Sequence, residues 1–205
     1  MTRIKICGNT HPADVELAVA LGIDLLGFIF TTSKRQITVE QGQQLAAGVP
    51  DGIVRVGVFI DEPTDTIARA VDACGLTAVQ IYRPITPADR RLGVTLFPAI
   101  RVGERDRLDA DGLHPSDHPL LDTWGPESQG GGSGRTWDWT LASQVATRYD
   151  VIISGGLRPT NVGDAIKQLN AWGVDVCSGV EREPGRKDPA KLRAFVSAVR
   201  EASPE

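Results

Sequence analysis

The feature that most constrains the fold of this chain is a regular alternation of short, β-branched apolar runs with longer amphipathic runs. Short runs of this kind predict buried strands, and runs with apolar residues three and four positions apart predict helices. The predicted strands cover residues 3–7, 25–30, 53–60, 78–82, 95–102, 119–123, 151–154 and 175–177. The predicted helices cover residues 13–21, 39–47, 64–74, 140–149, 161–172 and 189–202.

Eight strands that alternate with helices favour a parallel sheet. An open dinucleotide-binding sheet would carry a Gly-x-Gly-x-x-Gly turn after its first strand, whereas this chain has Cys7, Gly8 and Asn9 there. We therefore predict an α/β fold, a single (β/α)8 TIM barrel with parallel strands. The prediction places all 205 residues in one domain, residues 1–205.

Charge and cysteine usage exclude several classes of function. The chain has 22 basic and 26 acidic residues, a net charge of −4, which disfavours nucleic acid as a partner. It has no apolar run near the ~18 residues that span a bilayer, so we expect no membrane partner and a cytoplasmic protein. Three widely spaced cysteines argue against a disulfide framework and against a zinc site, so no metal is expected.

Glycine-rich segments follow three of the predicted strands, where the active residues of a TIM barrel gather. Glycine lets backbone N–H groups approach and point at an anion, so these loops predict a phosphorylated small-molecule ligand. The alternative is that the glycines only make tight turns. The candidate phosphate-binding residues are Gly132, Gly134, Gly155, Gly156, Ser178 and Gly179.

A thiol and a carboxyl group end the first and sixth predicted strands. Cys7 and Asp122 are three positions apart around an eight-membered ring, so their side chains can face each other across the mouth of the barrel. A Cys7 thiolate could remove a proton, and a protonated Asp122 could donate one. The alternatives are a small buried cysteine and an aspartate that caps a loop.

The remaining charged candidates are an arginine and the histidines. Arg35 follows the second strand and could hold a carboxylate through two hydrogen bonds, or could be a solvated charge. His11, His114 and His118 lie beside prolines or in a polar loop, so we predict surface histidines rather than metal ligands.

Several stretches, taken together and in order, resemble the phosphoribosylanthranilate isomerase family of tryptophan biosynthesis over nearly the whole chain. They are residues 5–10, 22–30 with 33–37, 56–59, 79–80, 120–123, 131–139, 153–162 and 175–188. The family is a single (β/α)8 barrel that converts N-(5-phosphoribosyl)anthranilate to the corresponding 1-deoxyribulose phosphate by an Amadori rearrangement. The resemblance implies the same isomerase reaction here, without a cofactor.

The resemblance also implies roles for individual residues. Cys7 would be the general base that takes the proton from ribose C2, and Asp122 the general acid that protonates the ring oxygen. Arg35 would contact the anthranilate portion, while Gln80 and Asp175 would bind the substrate near the ribose. Phosphate binding would fall to the glycine loops already named.

The chain departs from the family pattern at a few positions. The family reads His-Gly where this chain has Tyr82 and Arg83, and Lys-Ala where it has Pro98 and Ala99. Milder changes are Lys34 for proline and Ser133 for threonine. These changes alter one side of the expected pocket, so substrate preference and rate are less constrained than reaction type.

Two other functions are compatible with the sequence. One is a related aminoaldose isomerase that acts on another phosphoribosyl amine, such as the substrate of the histidine pathway. The other is a non-catalytic barrel that binds a phosphosugar. The family includes monomers and dimers, so the sequence leaves a monomer or a homodimer open.

Overall fold

The structure, a computed structural model, describes residues 1–102, 112–123, 142–169 and 171–203. Eight parallel strands pair in sequence order and close into a barrel, because β1 pairs with β8. The strands are β1 Arg3–Ile6, β2 Leu25–Ile29, β3 Val54–Phe59, β4 Ala78–Ile81, β5 Thr95–Val102, β6 Leu120–Thr123, β7 Ile152–Ile153 and β8 Gly173–Val176. The predicted TIM-barrel fold class is confirmed; a single domain over residues 1–205 stays a prediction.

The helices surround the barrel. They are α1 Pro12–Ala20, α2 Val39–Ala46, α3 Thr64–Cys74, α4 Ser143–Ala146, α5 Val162–Leu169 and α6 Pro189–Ala202. Helix α6 begins as its sequence predicts: the Asp188 side chain accepts hydrogen bonds from the N–H groups of Ala190 and Lys191, and Pro189 occupies the first turn. In the described residues no helix is long and apolar enough to cross a membrane.

Some predicted bounds are wrong by a few residues. The eighth strand begins at Gly173 rather than at residue 175, because Gly173 and Val174 pair with Arg3 and Ile4 and close the barrel. The predicted helix over 161–172 therefore ends early, at Leu169. The predicted helix over 140–149 is the four-residue α4 in the described residues.

Elements that the sequence analysis did not predict follow β4 and β8. A 3-10 turn, Asp89–Arg91, stands between β4 and β5. After β8 come a 3-10 turn, Ser178–Val180, and an antiparallel hairpin of β9 Glu181–Glu183 and β10 Arg186–Lys187. These segments are too short to show a period of 2.0 or 3.6 residues, so periodicity could not reveal them.

The interior of the barrel is built in layers, because alternate side chains of each strand point inward. The lower layer, towards the amino ends of the strands, is apolar: Leu25, Val56, Ala78, Phe97, Leu120 and Ile152. The upper layer contains Cys7, Ile29 and Val58, with Tyr82 and Cys177 packed against them. A separate and larger apolar cluster lies between the strands and the helices. The lower layer of the barrel interior is therefore apolar, and the upper layer contains the thiol groups of Cys7 and Cys177 and the phenol of Tyr82.

Arg83 fixes the loop that leaves β4. Its guanidinium makes two hydrogen bonds to the Asp89 carboxylate, at 2.6 and 2.8 Å, and its Nε donates to the Glu62 carbonyl. Asp89 is fully buried and also accepts from the hydroxyls of Thr64 and Thr86. Burial alone would raise the pKa of Asp89, but these donors together hold it below its usual range.

We expect Asp89→Ala to destabilise the protein by about 2–4 kcal/mol, because it leaves Arg83 partly buried without its carboxylate. The control Asp72→Ala removes an exposed carboxylate of α3 and should change stability by less than about 0.5 kcal/mol. Urea unfolding at neutral pH measures both.

The pH dependence of the same variant provides a second check. A folded-state pKa below the unfolded value contributes stability that is present above the unfolded pKa of about 4 and is lost as the pH falls through the folded pKa. The stability gap between wild type and Asp89→Ala should therefore narrow at acid pH. A gap that stays constant from pH 7 to pH 3 would contradict this role of the carboxylate.

Candidate active site

Alternate residues at the carboxyl ends of the strands bring the predicted site residues to one pocket. Cys7 directly follows β1, and Asp122 lies in β6, three steps away around the closed barrel. The pocket is lined by eight of the predicted residues: Cys7, Gln80, Asp122, Gly155, Gly156, Asp175, Ser178 and Gly179. The structure thus brings the proposed acid, base and phosphate loops together, while their roles stay predictions.

A continuous chain of polar contacts runs through the barrel interior and includes four residues that line this pocket. The Lys5 ammonium lies 3.0 Å from an Asp175 carboxylate oxygen and donates a 2.9 Å hydrogen bond to Gln80 Oε1. Gln80 Nε2 donates to the Tyr82 hydroxyl at 3.1 Å, and that hydroxyl donates to Asp122 Oδ2 at 2.7 Å. Asp122 on β6 is therefore linked through Tyr82, Gln80 and Lys5 to Asp175 on β8.

The environment of Asp122 suits a group that gives up a proton near neutral pH. The pKa of Asp122 is raised to about 6, mainly by burial and also by the negative charge of Asp175. Hydrogen bonds from Tyr82 and from the Thr123 N–H, which is 2.8 Å from Oδ1, oppose that rise. A carboxyl group with a pKa near 6 can serve as a general acid.

The environment of Cys7 stabilises a thiolate. A hydrogen bond with the Cys177 thiol lowers the pKa of Cys7 and outweighs the effect of burial, and the positive charges of Lys5 and Lys187 lower it further. The same contact raises the pKa of Cys177, so of the two thiols Cys177 is the one that keeps its proton. The Cys177 thiol also donates a hydrogen bond to Glu181 Oε1, at 3.8 Å. The Lys187 ammonium also donates a 2.5 Å hydrogen bond to the Cys7 carbonyl.

Gly27 and Asn9 set the surroundings of Cys7: the first leaves space for its thiol, and the second holds the adjoining backbone. A Cβ on Gly27 of β2 would lie 2.7 Å from Cys7 Sγ, so any larger residue there would displace the sulfur. Asn9 is fully buried, and its side-chain amide donates to the carbonyls of Ile6 and Gly27 at 2.8 and 3.1 Å. Together they fix the start of the loop after β1 against β2.

The sequence left two possibilities for Arg35, a residue that binds a carboxylate or a solvated charge, and the structure excludes the solvated charge. Arg35 is 7% exposed, and its Nε and Nη2 atoms bind the Glu181 carboxylate at 2.6 to 3.0 Å. These hydrogen bonds raise the pKa of Arg35 despite its burial, and they lower the pKa of Glu181. Arg35 does not line the pocket described above, so a contact with the substrate stays a prediction.

The glycines after β7 and β8 are required by the backbone itself. Gly155 and Gly156 have positive φ values of 86° and 65°, and a side chain on Gly155 would overlap the Thr123 hydroxyl. A side chain on Gly179 would overlap the Leu157 carbonyl. Tight geometry and phosphate binding are therefore compatible uses of the same loops. The other two candidates, Gly132 and Gly134, lie outside the described residues.

The histidines do not assemble a metal site. In the described ranges, no group of three or more His, Cys, Asp or Glu side chains is arranged to hold a metal ion. His114 is exposed as predicted. The prediction of a surface residue is wrong for His11 and His118, which are both half-buried. The ring centroid of His118 lies 4.4 Å from that of Trp172.

Sequence reasoning missed several residues that build the site: Lys5, Asn9, Gly27, Cys177 and Lys187. A signal existed for two of them. Lys5 is a lone charge inside an apolar strand, and Gly27 interrupts another, and both patterns indicate a local requirement. Cys177 and Lys187 gave no such signal, because their contacts cross between segments far apart in the chain.

Comparison with known proteins identifies the family. The family model described as N-(5'phosphoribosyl)anthranilate (PRA) isomerase matches residues 4–198. This chain belongs to that family. It is 37% identical to the N-(5'-phosphoribosyl)anthranilate isomerase of Pelobacter propionicus, with 100% of this chain and 99% of the relative covered. It is 35% identical to that of Rubrobacter xylanophilus, with 98% and 100% covered. The resemblance drawn from the sequence is confirmed.

Solved structures of the PRA isomerase family have the same fold. The crystal structure of the Thermotoga maritima enzyme is 34% identical and superposes with a TM-score of 0.86, covering 98% of this chain and 100% of that one. A second structure of a family member, in complex with reduced 1-(o-carboxyphenylamino)-1-deoxyribulose 5-phosphate, is 31% identical with a TM-score of 0.85 and the same coverage. A third describes monomers generated from the dimeric Thermotoga maritima enzyme.

We expect Cys177→Ala to raise the pKa of Cys7, because it removes the thiol donor that contributes most to stabilising the thiolate. The rate of Cys7 alkylation at neutral pH should fall roughly fivefold, the effect of a hydrogen bond of about 1 kcal/mol. Iodoacetamide labelling across a pH series, quantified on the Cys7 peptide by mass spectrometry, measures it.

The third cysteine provides the matched control. Cys74 is buried on α3, away from the pocket, so Cys74→Ala should leave the Cys7 labelling profile unchanged. Cys177→Ser keeps a hydroxyl donor and should restore much of the wild-type profile. Identical profiles for Cys177→Ala and wild type would show that Cys177 does not stabilise the thiolate.

Proposed function

We propose that this chain isomerises N-(5'-phosphoribosyl)anthranilate to 1-(2-carboxyphenylamino)-1-deoxyribulose 5-phosphate in tryptophan biosynthesis. Membership of the PRA isomerase family over residues 4–198 supports this reaction. The observation that carries it at the site is one pocket with a thiol of lowered pKa on one wall and a carboxyl group with a pKa of about 6 on another. A base and an acid on two walls are what an Amadori rearrangement needs.

The first step opens the sugar ring. The lone pair of the anthranilate nitrogen forms a double bond to C1, and the bond from C1 to the ring oxygen breaks. Asp122 gives its proton to that oxygen, so no alkoxide is released, and becomes a carboxylate. Tyr82 and the Thr123 N–H each donate a hydrogen bond to the carboxyl group, so the negative charge forms where two donors already point.

The second step moves a proton from carbon. The Cys7 thiolate removes the C2 proton of the resulting iminium ion. The electron pair of the C2–H bond forms a C1–C2 double bond, and the pair of the C1–N double bond returns to nitrogen, which gives an enolamine. Protonation at C1 and loss of the hydroxyl proton then give the ketone. Lys5 and Lys187 balance the charge of the thiolate before this step, and Asp175 in turn balances Lys5.

Different residues would bind the phosphate, the carboxylate and the ribose of the substrate. The loops containing Gly155, Gly156, Ser178 and Gly179 would hold the phosphate through backbone N–H groups, which allows an acidic protein to bind an anion. Arg35 would hold the anthranilate carboxylate. Among the described residues, its Nη1 atom has no hydrogen-bond partner, so it can reach a carboxylate without releasing Glu181. Gln80 and Asp175 would face the ribose.

The proposal includes the cellular setting. We propose a cytoplasmic enzyme that works as a monomer or a homodimer, with a phosphorylated small molecule as its substrate and with no cofactor. A small diffusible substrate and a site formed within one chain support this setting. Size-exclusion chromatography with light scattering distinguishes the two assembly states.

The function is tested by turnover and by complementation. Purified protein should consume phosphoribosylanthranilate, seen as loss of anthranilate-type fluorescence, and its gene should restore growth of a tryptophan auxotroph that lacks this isomerase. Cys7→Ala and Asp122→Asn should each reduce kcat at least about 100-fold, the usual contribution of a general acid or base.

Two further variants make the test specific. Cys74→Ala and Asp72→Asn change the same residue types on α3, away from the pocket, and should keep wild-type rates. Binding of the substrate without turnover by the wild-type protein would favour a non-catalytic barrel. Turnover that survives in both Cys7→Ala and Asp122→Asn would overturn the assigned roles.

A further inference from the structure

A residue that departs from the expected family pattern makes the shortest side-chain hydrogen bond to the proposed acid among the described residues. Tyr82 stands where the resemblance places a histidine, and its hydroxyl donates a 2.7 Å hydrogen bond to Asp122 Oδ2. The phenol projects from the end of β4 into the upper interior layer and packs against Cys7, Ile29 and Val58. The packing of the ring against these three side chains therefore fixes the position of the phenol in the pocket.

Two neighbours hold the phenol in one orientation. Gln80, two residues earlier on the same strand and thus on the same face, donates a 3.1 Å hydrogen bond to the Tyr82 oxygen. The Arg101 guanidinium lies over the Tyr82 ring, 5.3 Å from its centroid. Because Gln80 occupies the oxygen as a donor, the Tyr82 proton is directed at Asp122 and nowhere else in this network.

We propose that Tyr82 is a positioning residue for the reaction: its phenol, oriented by Gln80 and Arg101, fixes the Asp122 carboxyl group at the pocket and stabilises the carboxylate that forms when Asp122 gives up its proton. The role rests on the isomerase activity proposed above. Tyr82 acts through Asp122 without requiring a contact to the substrate.

The direction of the effect follows from charge. A hydrogen bond donated to a carboxyl oxygen is stronger when the group is charged, so it favours the product of proton donation over the starting acid. The other described groups that act on Asp122 are Lys5 from β1, Asp175 from β8 and the N–H of Thr123, and Arg101 of β5 pairs with it in register. None of these is removed when the phenol loses its hydroxyl.

Tyr82→Phe separates this role from packing, because it keeps the ring and removes only the hydroxyl. We expect kcat to fall about 10-fold, with KM within about twofold of wild type, since the lost interaction grows in the transition state. We also expect the limb of the pH–rate profile that belongs to Asp122 to move to higher pH by about one unit.

The matched control is Tyr149→Phe. The chain has two tyrosines, and Tyr149 lies at the outer cluster between strands and helices, outside the pocket. Its variant should keep the wild-type kcat, KM and pH profile. A change in Tyr82→Phe that Tyr149→Phe does not share is then specific to the hydroxyl at the site.

The pKa of Asp122 can be measured without turnover, so a failure of this inference can be distinguished from a failure of the proposed isomerase function. Protein labelled with carboxyl-13C aspartate, with the Asp122 signal assigned by comparison with Asp122→Asn, gives the pKa of Asp122 directly by NMR. That pKa should be higher in Tyr82→Phe than in wild type. If the wild-type protein has no isomerase activity, the proposed function fails, while the titration still reports on the contact.

Two results would overturn the inference. One is an Asp122 titration that is identical in wild type and Tyr82→Phe, which would show that the phenol does not act on the carboxyl group. The other is a rise in KM with kcat and the pH profile unchanged, which would assign Tyr82 to substrate contact instead.

Discussion

The buried ion pair between Lys5 and Asp175 is the interaction on which the rest of the site depends. Lys5 is 0% exposed and Asp175 4%, so each charge is stable only in the presence of the other. The pair joins β1 to β8, the two strands that close the barrel. It also begins the polar chain through Gln80 and Tyr82 to Asp122, so barrel closure and active-site electrostatics share one contact.

The charge of Lys5 serves both proposed catalytic groups. Burial would lower the pKa of Lys5, but Asp175 and Cys7 raise it well above its usual range, so the ammonium keeps its proton throughout the physiological range. A permanent positive charge favours the thiolate of Cys7, and it also limits the rise in the pKa of Asp122. One buried cation therefore biases the base towards its charged form and the acid towards a useful pKa.

The fold could be predicted from sequence because the barrel repeats one local pattern eight times, and each repeat is visible in the spacing of apolar residues. Counting strands around the ring was also enough to place Cys7 and Asp122 at one pocket. Contacts such as those of Cys177 and Lys187 with Cys7 were out of reach, since they depend on side-chain direction after the last strand. Bounds failed where pairing across the closure, at Gly173, overrides local propensity.

The departures from the family after β4 have a common structural explanation. Tyr82 supplies a hydrogen bond to Asp122, and Arg83 anchors the backbone of the same loop through Asp89. Where the family pattern reads His-Gly, Tyr82 therefore donates a hydrogen bond to Asp122, and Arg83 fixes the loop after β4 that contains Tyr82. The two residues that the sequence marks as departures therefore both make defined contacts at this edge of the pocket.

The hairpin that carries Lys187 ties chemistry to the completion of folding. Its ammonium reaches the carbonyl of Cys7 across 180 positions of the chain. Contacts of such long sequence separation form late, because the entropy of closing the intervening loop must be overcome first. During synthesis the thiol of Cys7 emerges early but has no cationic partner from the hairpin until the final segments are available. The share of the Cys7 pKa shift that comes from Lys187 is therefore a property of the folded barrel and not of the segment that carries Cys7.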